Sequence, residues 1–163
     1  MYTYKTEESP EGSLFYFRTI HDYDFSVQFL IAPYQTKESL QIFEISIFST
    51  NQKKPKKDNN VGKTVCSIIN HFLNEHKESV IVYICDSEDR RHYARDRKFS
   101  LWYVNYNSEN LHKMYKFNYL MELEDVTIHY FTSALFDSRV YPVDFIEKVF
   151  SEFTERLSAD KSG

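Results

Sequence analysis

Apolar and polar positions alternate through most of the first fifty residues, which is the period of a strand with one buried face. "SLFYFRTI" (13–20) is aromatic and β-branched. In "DFSVQFLIAP" (24–33), Val27, Phe29 and Ile31 alternate with Ser26, Gln28 and Leu30, and in "SLQIFEISIFST" (39–50), Phe43, Ile45 and Ile47 alternate with Ile42, Glu44 and Ser46. His21-Asp22 and Pro33-Tyr34-Gln35-Thr36 supply the turns of an antiparallel meander. The period then changes. Val65, Ile68, Ile69 and Phe72 fall at i, i+3, i+4 and i+7, which predicts a helix over 61–76, and Asn59 or Asn60 is placed to cap it. "SVIVYI" (79–84) is unbroken and β-branched, as in a strand buried on both faces.

A second helix is predicted over 88–106, with Phe99, Trp102, Tyr103 and Tyr106 as its apolar stripe, and two strands over 113–136. Pro142 suits a first helical turn, and Phe145, Ile146, Val149, Phe153 and Leu157 repeat at helical spacing behind it. The order β-β-β-α-β-α-β-β-α predicts an α+β fold, a mostly antiparallel sheet with helices packed on one face. Residues 1–163 read as one domain, interrupted by a polar, Lys-rich loop at 51–60 and ending in a frayed tail at 159–163.

Composition narrows the classes. The 163 residues are 42% hydrophobic and include 14 Phe and 13 Tyr, too aromatic for a disordered chain. Three Gly and four Pro weigh against repeats and against a glycine-cradled nucleotide fold. Cys66 and Cys85 each lie in an apolar run and read as buried, reduced thiols. The polar, acidic N-terminus is unlike a signal peptide, and no apolar run is long enough to span a bilayer, so a cytoplasmic protein is expected. The net charge of −4 is uneven: residues 51–63 hold five Lys against one Asp. Overall acidity argues against a dedicated nucleic-acid binder and leaves Lys53, Lys54, Lys56 and Lys57 as a local phosphate contact at most.

Two spacings imitate known chemistry. Cys85 and Arg91 stand at the Cys-x5-Arg distance of cysteine-dependent phosphatases, but Asp86, Glu88 and Asp89 would line a cradle that has to hold a dianion. "VGKT" (61–64) imitates the end of a phosphate-binding loop, yet Lys57 stands where that loop needs Gly. The six histidines show no metal-ligand spacing, and neither a metal nor a cofactor is expected. The junction in "SVIVYICDSEDRRHYARDRKF" remains. Asp86, Ser87, Glu88 and Asp89 suit a helix N-terminus; Arg90 and Arg97 point to solvent; His92 and Arg95 share the Phe99 face, with Arg91 at its edge. Two readings follow: Asp86 and Asp89 lock Arg91 and Arg95 in ion pairs, or Asp86, Asp89, Arg91, His92 and Arg95 line a polar pocket, with Cys85 as a neighbouring thiol.

The block from Gly62 to Tyr103 resembles the central part of an uncharacterised family of small proteins found mainly in Bacteroidota. The likeness is carried by Ile84, Cys85, Asp86, Ser87, Asp89, Arg91, Arg95, Phe99 and Trp102. It implies a bacterial protein and brings no activity with it. The favoured function is therefore a non-enzymatic protein-binding or regulatory module, acting on a protein partner or as a homodimer. The alternative is a small-ligand binder or enzyme built on the junction at 85–95. Whether the chain is an enzyme stays open at this point.

Overall fold

The computed structural model describes residues 1–33, 40–49, 56–87, 90–107, 112–123 and 126–159. Its elements are β1 (Lys5–Ser9), β2 (Gly12–Arg18), β3 (Asp24–Ile31), β4 (Gln41–Ser49), α1 (Asn59–Glu75), β5 (Ser79–Asp86), α2 (His92–Tyr106), β6 (His112–Lys116), β7 (Tyr119–Leu123), β8 (Val126–Asp137) and α3 (Val143–Ala159). One sheet runs β1-β2-β3-β4-β5-β8-β6, with β7 also paired to β8. All pairs are antiparallel except β4–β5, the two strands that α1 connects. This is the expected α+β class with a mostly antiparallel sheet. No described helix is long and apolar enough to cross a membrane.

Side chains alternate across the sheet as the pattern requires. Phe15, Phe17, Phe25, Val27, Phe29, Phe43, Ile45 and Ile81 face one way, onto Val61, Val65, Ile68, Ile69 and Phe72 of α1 and Phe99 of α2. Phe72 stacks on Phe29 at 4.1 Å between ring centroids and meets Phe43 edge-on. The aromatic row of the first strands is thus interior.

The layering departs from the expectation in one respect: the helices do not share a face. Ile42, Val80, Val82, Ala134 and Phe136 point away from α1 and α2 and are covered by Ile146, Val149 and Phe150 of α3. The unbroken apolar run of β5 demands this, because a strand without polar positions has to be covered on both sides.

Three local differences have equally plain causes. β1 is an extra strand whose five residues are all exposed, so no hydrophobic alternation announces it. Register with β2 forms it, and Lys5, Glu7 and Glu8 make it a charged edge. Asp58, rather than Asn59 or Asn60, caps α1, its Oδ1 accepting the Asn60 amide at 2.9 Å. β6 and β7 act as one arm along β8, since the register His112↔Asp137 continues unchanged to Leu123↔Val126. At the break between them the Asn118 side-chain oxygen accepts the Thr132 amide at 3.2 Å, standing in for a ladder carbonyl.

Polar bonds fasten the helices to β6. The buried His112 pairs through Nδ1 with Asn70 Oδ1 of α1 at 2.7 Å, and its carbonyl accepts Tyr103 Oη and Asn107 Nδ2 at the end of α2.

Gly12 closes the β1–β2 turn at a φ of +152°, where an added Cβ would lie 1.9 Å from the Phe29 carbonyl oxygen of β3. Gly12→Ala is expected to cost more than about 2 kcal/mol in urea unfolding, through backbone strain plus displacement of β3. An unchanged midpoint would show that the turn can re-form without the positive φ.

Candidate functional site

The first turn of α1 meets α2 closely at Trp102 because position 62 has no side chain. A Cβ on Gly62 would sit 2.4 Å from the Trp102 ring, so the indole occupies that space and joins the two helices. Lys98 places Nζ 4.7 Å from the Trp102 ring centroid, and Lys63 of α1 reaches over Tyr106 of α2 at 5.9 Å. Alongside this contact runs a groove of about 660 Å³, floored by Phe25, Val61, Trp102 and Tyr106. Lys56, Lys57, Arg91 and Lys98 line it. Among the described residues its one carboxylate, Asp58, is engaged by the Asn60 amide and the Tyr2 hydroxyl. Partial burial pushes the Lys98 ammonium below its ordinary pKa. Among the described residues no carboxylate pairs with Lys56, Lys57 or Lys98.

The groove joins residues that the sequence kept apart. Lys56 and Lys57 come from the lysine loop and Arg91 from the strand–helix junction, while Lys53 and Lys54 lie outside the described residues. The contributions of Lys98 and Trp102 were not anticipated. An i, i+4 step from Ala94 to Lys98 to Trp102 on one flank of α2 is the only signal the sequence offers for them.

At the junction itself the helix begins later than expected, at His92, with Arg91 in the capping position. Asp86 is the last residue of β5, paired in register with Tyr130. Ser87 does not cap the helix: its Oγ accepts the His129 amide at 2.9 Å, tying the strand end to β8. The Asp86 side chain, Glu88 and Asp89 lie outside the described residues, and the expected Asp–Arg ion pairs lie outside with them. Arg90 and Arg97 are exposed, as their helical angles require.

Arg91 and Arg95 do not converge on one site. Arg91 lines the α1–α2 groove, whereas Arg95, half-buried, lines a smaller adjoining cavity with Tyr83, Phe99 and Phe48. His92 is buried against Phe131 and Tyr93, and its Nδ1 has no hydrogen-bond partner among the described residues.

Cys85 is fully buried beneath α2. Desolvation raises its thiol pKa; the Tyr83 hydroxyl and the Arg95 guanidinium reach the sulfur and offset only part of the rise. The arginine at the sulfur is therefore Arg95, one turn beyond the position a phosphatase loop uses. Cys66, in α1, is pushed up to about 12 by burial alone.

Residues 57–153, more than half of the chain, match a family of unknown function (DUF6169), and the chain belongs to that family. The match runs from the residue before the α1 cap into α3 and includes most of the groove. None of the curated proteins and none of the solved structures compared with the chain matches it.

Raised thiol pKa values and burial make both cysteines poor nucleophiles. Iodoacetamide at pH 7.5 is expected to leave the folded protein unmodified over hours and to alkylate two thiols in urea, as counted by intact mass. Rapid modification of Cys85 in the folded state would reinstate it as a reactive centre.

Proposed function

We propose that this member of the family is a non-enzymatic binding or regulatory module whose recognition surface is the cationic groove between α1 and α2, and that it acts on a protein partner. One observation carries the reading. Four cations from segments more than thirty residues apart line a single groove over an aromatic floor, in a chain whose net charge is −4. Holding Lys56, Lys57 and Lys98 together, with no carboxylate among the described residues paired to them, costs stability, and an anionic partner relieves that cost. The rim cations steer the encounter while the aromatic floor supplies area that can be desolvated. Two buried, unpaired cysteines and the likeness of the central block to small Bacteroidota proteins support a bacterial cytoplasm as the setting.

Trp102 is the only tryptophan, so its emission reports on the groove directly. Titration with inorganic pyrophosphate at low ionic strength is expected to give a saturable change that fades as salt is added. The Lys57→Glu/Lys98→Glu variant should lose that response and keep the wild-type urea midpoint. A flat titration of the wild-type protein at low salt would remove the groove as an anion-binding surface.

A second reading, a small-ligand site at the strand–helix junction, is favoured by the buried His92 with its unbonded Nδ1. A ligand there would bond that nitrogen. NMR of the His92 ring in cell extract against buffer is expected to show no shift; a shift specific to His92 would move the site to the junction.

A further inference from the structure

α2 is apolar on both sides. Phe99, Trp102, Tyr103 and Tyr106 face the sheet and α1, as an amphipathic surface helix requires, but Tyr93, Leu101 and Val104 are 65%, 49% and 76% exposed. At 100° per residue those three lie within about 80° of one another, on the side opposite Phe99, and Arg97 falls inside the same arc. They form a ridge along a helix of 15 residues, about 22 Å long. Leu101 belongs to this ridge and also lines the groove, so the two surfaces are continuous. Lys98 and Arg91 run along the ridge on its groove side, and Arg97 sits within it.

Scattered apolar side chains are normal on a protein surface; three on one outward helical face, bordered by cations and joined to a charged groove, mark a docking surface. The chemistry selects the occupant. Of the ridge only Tyr93 offers a ring for a base to stack on, Leu101 and Val104 are aliphatic, and Lys98 already stands over the Trp102 ring, so a nucleic acid would leave most of the ridge unused. A straight apolar ridge at helical spacing packs against another helix, side chains into grooves. Its cationic border requires acidic residues in that helix.

We infer that the partner presents an acidic amphipathic helix, which lays its apolar face along Tyr93, Leu101 and Val104 of α2 and its carboxylates against Arg97, Lys98 and the groove. This inference rests on the reading of the groove as the recognition surface and adds the chemistry of what is recognised.

The test places a photo-crosslinking benzoylphenylalanine at Val104 of the full chain, expressed in its own organism. Val143, 47% exposed at the start of α3 on the opposite side of the sheet from α2, serves as the control position. The expected result is an adduct at Val104 and none at Val143. Its crosslinked peptide should carry Asp or Glu together with apolar residues three and four apart. Arg97→Glu, an exposed substitution on the ridge and outside the groove lining, should lower adduct yield at least tenfold while the pyrophosphate response of Trp102 persists. Equal labelling at both positions, an adduct with nucleic acid or with a second copy of this chain, or no adduct at all would overturn the inference. Absence of a Val104 adduct in the otherwise unsubstituted chain, with an intact pyrophosphate response, sinks only the acidic helix; a silent pyrophosphate titration sinks the groove reading beneath it.

Discussion

β5 sends Val80 and Val82 toward α3 and Ile81 toward α1, each 1% exposed or less, and the arrangement of the molecule follows from burying that strand on both sides. Full burial of a Val or Ile side chain contributes about 1.5–3 kcal/mol, so three consecutive residues supply a large part of a marginal net stability. β5 is also the seam between two antiparallel systems. It meets the N-terminal meander through the one parallel pairing, Gln41↔Ser79 to Glu44↔Val82, and the C-terminal arm through β8. A parallel pair needs a crossover, and the crossover is α1. The helix that contributes the groove's first wall is thus present because the central strand runs parallel to its neighbour.

From there the groove is a matter of close approach. α2 packs on the sheet mainly through Phe99, which stacks on Tyr83 at 3.9 Å, and reaches α1 through Trp102 at Gly62. The bonds of Tyr103 and Asn107 to the His112 carbonyl hold the far end of α2 against β6. Held at both ends, α2 presents one flank to the lysines before α1 and another to solvent. Packing that serves stability on the inner side therefore positions charge and apolar surface on the outer sides. The same packing removes Cys85 from the chemistry its spacing suggested, since a thiol beneath a helix is desolvated and stays protonated.

Strand and helix periods were legible in the sequence because burial on one face writes itself into composition. β2, β3, β4, α1, β5 and α3 begin and end within about three residues of the positions their patterns predicted. β1 left no such mark, as its residues bury nothing and ladder bonds alone form it. The start of α2 was misplaced for a related reason: a cluster of acids looks like a cap, whereas Ser87 spends its hydroxyl on the His129 amide, forty-two residues away in the chain.

For the site the division is sharper. Residue chemistry by itself determined that Lys56, Lys57 and Arg91 were cationic, that Cys85 and Arg91 made an unsuitable phosphate cradle, and that Phe99 and Trp102 faced inward. Only the tertiary structure decided that Lys57 and Arg91 line one groove, that Arg91 and Arg95 part to different cavities, and that α3 takes the face opposite α1. Periodicity records which side of an element is buried. It carries no information on which distant element does the burying, and convergence of charge depends on that.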